Sequence, residues 1–153
     1  MSWAEGFAAS NMLALVGWVL LLFGPRRHAW LNLVPGLMIP LALAASYSVI
    51  VLVHFARAEG GFDTLANVRL LFQSDPSLVA GWQHFLAFDL LVGGWAAGYL
   101  DRCGVHRIVQ VPILAAIFMF GPMGFLLAAV TGATTARLTG ENGQSGAFPW
   151  PRP

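Results

Sequence analysis

Trp82-Gln83-His84-Phe85-Leu86-Ala87-Phe88-Asp89-Leu90-Leu91 sets a histidine and an aspartate inside an otherwise apolar run. The run belongs to a longer segment, residues 78–100, that is long enough to cross a bilayer, because about 20 apolar residues span a hydrocarbon core. An ionisable side chain in hydrocarbon is costly. It is kept where it has a partner, a water-filled cavity or a chemical task. This one stretch therefore points to both the solvent and the candidate site.

Outward from it, three further apolar segments have spanning length. Residues 7–23 are closed by Gly24-Pro25, since proline cannot continue a helix. Arg26-Arg27-His28 follows, a link so short that the next segment returns antiparallel. Residues 30–56 carry Pro35 and Pro40, and Pro40 should kink the helix. Residues 108–138 have Pro112 near their start and a mid-membrane break at Gly121-Pro122. Between the second and third spans, Asp63-Thr64 reads as a helix N-cap. Leu65, Val68, Leu71 and Phe72 then recur at helical spacing, which predicts an interfacial amphipathic helix over 63–74. The expected fold is all-α integral membrane, with four transmembrane helices and one short interfacial helix between helices two and three. Residues 1–138 form a single domain, and 139–153 read as a disordered Gly-, Ser- and Pro-rich tail.

Composition agrees. Hydrophobic residues make up 58% and charged residues 10%, where a soluble domain carries roughly 25% charged residues. Mean hydropathy is +0.70. The net charge of +1 and the absence of a basic stripe exclude a nucleic-acid partner. Cys103 is the sole cysteine, so no intramolecular disulfide forms. The N-terminus lacks the basic stretch of a signal peptide, so the first segment is expected to stay as a helix. All basic residues are Arg, and Ala and Gly abound, which suits a GC-rich genome and a bacterial inner membrane. Arg26, Arg27, Arg102 and Arg107 fall on one side of a four-span bundle. Arg57, Arg69, Arg137 and Arg152 fall on the other. The count is tied, and only the shorter loops favour the first side as cytoplasmic, with both termini opposite. Arg26 and Arg27 suit lipid phosphates or simple anchoring.

His84 and Asp89 lie about 140° apart around a helix. They either flank one pocket or serve different neighbours. His54, near the end of the second span, falls at a similar depth to His84. The candidate catalytic residues are His84, Asp89 and His54, as an acid–base or metal site; no metal and no cofactor is assigned. Each has a plainer role available, as an interfacial or interhelical hydrogen-bonding residue. Trp82, Phe85, Phe88 and Trp95 are the candidate ligand-contacting aromatics. Gly94-x-x-x-Gly98 permits close packing, within the bundle or in a homo-oligomer. There is no Walker loop, dinucleotide fingerprint or nucleophile elbow.

Trp82-x-His84-x-Leu86-Ala87-x-Asp89-Leu90, the polar loop from Asp101 to His106, and Gly121-Pro122-Met123-Gly124 together resemble the abscisic-acid-deficient-four-like family. Asn11, Trp18 and Gly24-Pro25 fit it more loosely. These are small membrane proteins whose plant members are required for neoxanthin synthesis. The resemblance implies a four-helix membrane fold and a link to carotenoids. It also implies a reaction in which an epoxide isomerises to an allene without net redox change. An acid protonates the epoxide oxygen and a base removes a ring-adjacent proton, with Asp89 and His84 as the candidate pair. The expected activity is that of an enzyme or enzyme accessory acting on a carotenoid or other isoprenoid lipid. The alternative is a non-catalytic subunit that binds a pigment, a lipid or a membrane protein partner. A His-ligated haem or metal carrier is a third, weaker reading.

Overall fold

Ser2 starts the first helix with a reciprocal cap. Its Oγ accepts from the Glu5 amide at 3.2 Å, and its own amide donates to Glu5 Oε2 at 2.7 Å. The structure, a computed structural model, describes residues 2–26 and 28–138, apart from the side chains of Ala29 and Trp30. The expected tail, 139–153, lies outside the described residues. All regular structure among the described residues is helical.

Helix α1 is Trp3–Phe23, ended by Gly24, whose amide donates to Leu20 O. Helix α2, Ala29–Leu33, runs through a π-helical turn, Val34–Met38, into α3, Ile39–His54, and a 3-10 turn, Phe55–Arg57. The π turn is the fold's answer to Pro35 and Pro40. Prolines lack the amide that an α-helix needs, and the Ile39 amide reaches back five residues to Val34 O instead. Helix α4, Leu65–Leu71, is capped by Thr64 Oγ1, which accepts from the Asn67 amide at 3.1 Å. Asp63 accepts from the Asn67 side chain at 2.9 and 3.1 Å, which holds its carboxyl below the usual range. Helix α5, Asp75–Arg102, is the longest at 28 residues. Two helices, Trp3–Phe23 and Leu31–Arg57, are long and apolar enough to cross a membrane.

Three rods pack side by side. Ser10 with Gln83, Gly17 with Leu90 and Arg26 with Asp101 set α1 parallel to α5. Gly36 with Gly94 and Tyr47 with His84 set the α2–α3 rod antiparallel to both. Leu90, fully buried, lies at their centre. A Cβ on Gly94 would come 2.7 Å from the Gly36 Cα, so the two backbones touch there. Gly98 meets only Arg102 of its own helix. The flagged glycine pair thus packs within the bundle through Gly94 alone.

Residues 108–138 do not form one spanning segment. They make two helices, α6, Arg107–Phe120, and α7, Pro122–Leu138, folded back on each other at Gly121. Helix α6 runs antiparallel to α5, with Gln110 bonded to Asp101 and Phe118 edge-on to Trp18 at 5.4 Å. Helix α7 then returns parallel to α5. Gly121 faces Asp89, Phe125 lies 5.5 Å from Trp95, and Gly132 packs on Tyr99. The expected break is present, but it reverses the chain rather than kinking it. Two features allow this. Gly121 adopts φ 31°, which side chains resist. Gly124, Ala128, Gly132 and Ala136 form a buried stripe of small residues one turn apart, so α7 can lie against α5 and α6. A Cβ at Gly124 would collide with the backbone of Ile117 and Ala116.

One end of the bundle is tied by polar groups. Arg26 Nη1 donates to Asp101 Oδ2 at 2.9 Å, and Gln110 Nε2 donates to Asp101 Oδ1 at 2.7 Å. Arg107 donates to Leu22 O and Gly24 O. Arg26 is therefore an ion-pair partner in the structure, not a group held out for lipid phosphate.

Candidate functional site

A cleft of 380 Å³ opens between α3, α4 and α5 at the end of the bundle away from Asp101. His54 comes from the last turn of α3 and His84 from the third turn of α5, and both line the cleft, but not at the shared depth expected: His84 lies level with Tyr47, about two turns further in than His54, which meets Trp3 nearer the end of the bundle. Aromatic rings, the two imidazoles among them, make up half of the lining, and aliphatic and small residues the rest. Phe55 and Phe62 stack at 5.9 Å, and Phe72 lies against Gly81, where any Cβ would come 2.6 Å from its ring. Leu71 is buried against the same side. The apolar face of α4 therefore closes the cleft, because Thr64 starts the helix in the register that turns Leu71 inward.

His84 sits in an aromatic cage. Its ring centroid is 4.7 Å from Phe88, 5.6 Å from Tyr47 and 6.2 Å from Phe85. His54 is edge-on to Trp3 at 5.2 Å. Such rings offer an imidazole in an apolar, π-rich setting, suited to a flat conjugated or cyclic ligand.

Asp89 is elsewhere. It stands at the middle of α5, half-buried, and its carboxylate faces the apex of the α6–α7 hairpin. A Cβ at Gly121 would come 2.7 Å from Asp89 Oδ1. The carboxylate lies beside the first turn of α7, where a helix leaves amides unpaired and carries partial positive charge. Among the described residues it has no hydrogen-bond or ion-pair partner. Of the two arrangements open from the helical wheel, the structure has the second, in which His84 and Asp89 serve different neighbours. Phe85 links them. It lines the cleft beside His84 and stands one turn before Asp89 on the same face.

The other aromatics divide. Phe85 lines the cleft and Phe88 packs at a tilt against His84. Trp82 turns to α1, donating to Asn11 Oδ1 at 2.8 Å and packing on Phe7. Trp95 stacks on Tyr99 at 5.4 Å in the seam with α7. Neither Trp82 nor Trp95 lines the cleft. Sequence reading missed Tyr47, Phe62 and Phe72 as lining residues. Only the amphipathic pattern of α4 hinted at Phe72. Among the described residues no group of three His, Cys, Asp or Glu side chains is placed to hold a metal ion.

No curated protein and no solved structure matches this chain. A family model, described as ABA DEFICIENT 4-like, matches residues 6–127. That interval holds every candidate residue above, from His54 and His84 through Asp89 to the Gly121 apex that faces it. A match over most of the chain is enough to say that the protein belongs to the ABA DEFICIENT 4-like family.

Proposed function

We propose that this chain is a membrane-embedded isomerase, or its accessory, acting on a carotenoid or another isoprenoid lipid without net redox change. The observation that carries the reading is the aromatic cleft around His84, joined along Phe85 to an unpartnered carboxylate at mid-helix depth. An apolar chain lies along Phe85 and Phe88; because His84 and Asp89 stand on different faces of α5, its reacting end must bend round the helix at Phe85 to meet both. The Asp89 carboxyl delivers a proton to a ring oxygen as its C–O bond opens, and His84 takes a proton from the adjacent carbon. Proton gain and loss balance, so no redox partner is needed. Three rods, α1, α2–α3 and α5, cross the bilayer, α6–α7 enters it halfway, and α4 lies at the interface. A Lys-free, Ala- and Gly-rich sequence supports a bacterial inner membrane as its home.

The second reading is a non-catalytic pigment- or lipid-binding subunit. It is favoured by the separate neighbours of His84 and Asp89. Asp89→Asn decides between them. In membranes supplied with an epoxide carotenoid, the enzyme reading expects product formation to fall at least about 100-fold, with pigment still co-purifying. Unchanged product, or none from the native protein although pigment is bound, sinks the catalytic reading and leaves the binding one.

A further inference from the structure

The hydroxyl of Tyr47 is used neither by the fold nor by the proton transfers proposed above. Tyr47 is the innermost α3 residue of the His54–His84 cleft, followed outward by Ile50, Val51 and His54. Its ring stands 5.6 Å from the His84 ring. His84 and Phe85 are the innermost lining residues of α5, so these three side chains form the inner end of the cleft.

Tyr47 Oη makes no hydrogen bond among the described residues. Nor is it sealed in the core: the buried side-chain atoms left without a partner there are Arg26 Nε, Gln83 Oε1 and Gln110 Oε1. A half-buried tyrosine whose oxygen is neither bonded nor sealed presents that oxygen at an open surface, and the surface that Tyr47 lines is the cleft. At the headgroup layer such a hydroxyl would meet water. Tyr47 is deeper than that. It stands seven residues before His54, about 10 Å further in. Side chains on a helix lean toward its N-terminus, which for α3 is deeper still. A phenol in apolar surroundings keeps a hydrogen-bond partner, and a molecule seated in the cleft supplies one.

We infer that Tyr47 is a specificity-determining residue of the cleft: its O–H donates to an oxygen on the ring of the isoprenoid ligand, while the ring lies against His84 and Phe85. A hydroxyl, an ether or a carbonyl oxygen meets the requirement, since each has a lone pair to accept with. It is not the oxygen that Asp89 protonates, because Asp89 stands on another face of α5. The ligand therefore carries a separate oxygen for this contact. The inference rests on the cleft as the isoprenoid site, not on the proton transfers.

α-Ionone and 3-oxo-α-ionone test it, since they share a carbon skeleton and only the second has an oxygen on its ring. Each is equilibrated by dialysis with the full-length protein in detergent and with empty micelles, and the excess bound to protein is measured. The native protein should bind 3-oxo-α-ionone at least as tightly as α-ionone, although the added carbonyl makes it the more polar of the two. Tyr47→Phe keeps the aromatic ring and removes the donor. It should weaken 3-oxo-α-ionone roughly tenfold, the scale of one hydrogen bond, and leave α-ionone unchanged. Val51→Trp, on the cleft wall, should weaken both probes alike. Much weaker binding of the oxo probe by the native protein, or a Tyr47→Phe variant that moves neither probe or both equally, overturns the hydrogen bond and leaves the isoprenoid cleft standing. Indifference of both probes to Val51→Trp puts their site elsewhere and overturns it too. Binding of neither probe overturns both the inference and the reading it rests on.

Discussion

Asp101 receives both Arg26 and Gln110, and its removal strands a largely buried cation. Burial already lowers the Arg26 pKa from its ordinary value, and Asp101 opposes that shift. Asp101→Ala should lower stability by about 1–2 kcal/mol, the cost of an unpaired, partly buried charge. Arg26→Met/Asp101→Ala should recover part of it, because the double variant leaves no charge behind. Thermal midpoints of the four proteins in detergent measure the cycle, and strict additivity would remove the ion pair from the account. At this scale the sequence exposed which residues are unusual but not what they touch. His84 and Asp89 stand out because polar groups in an apolar run are expensive. Their neighbours, the ring of Phe88 and the apex at Gly121, lie 4 and 32 positions away along the chain. Nothing local encodes the second of these.

The α6–α7 hairpin depends on Gly124, whose missing side chain lets α7 approach the α6 backbone. Gly124→Val should destabilise the hairpin by more than about 2 kcal/mol, through overpacking against groups that cannot move. Met123→Val, at the exposed neighbour, should be silent. Protease sensitivity near the apex, with the thermal midpoint, separates the two; equal behaviour would mean that the close approach is not needed. Helix starts and stops were mostly legible, because Gly24-Pro25, Thr64 and Gly121-Pro122 act locally through missing amides and side-chain caps. Which face each helix buries was less so. The sequence marked Gly94-x-x-x-Gly98, of which only Gly94 packs on another helix. The longer small-residue stripe of α7 passed unmarked.

The reversal at Gly121 changes the charge balance of the whole molecule. With α7 returning to the end of α5, Arg137 joins Arg26, Arg102 and Arg107, against Arg57 and Arg69 at the other end. The tie is broken among the described residues. The positive-inside rule then predicts the α5–α6 loop and the end of α7 on the cytoplasmic side and the start of α1 on the other. A green fluorescent protein fused after Pro153 should be bright, and alkaline phosphatase at the same place inactive. The opposite pair of results would mean that α6 and α7 cross as one segment or that the whole bundle inserts the other way round, and a fusion before Ser2 separates the two. Composition and segment length alone determined that this chain is helical and carries segments long and apolar enough to cross a membrane, because those are sums over residues that no packing alters. Turn chemistry fixed where most helices end. The tertiary structure alone decided that α7 returns beside α5, that α4 closes the His54–His84 cleft, and that Asp89 faces the hairpin. Each of these depends on close approach between segments distant in sequence, and such approaches are set by small residues meeting across helices rather than by any local pattern.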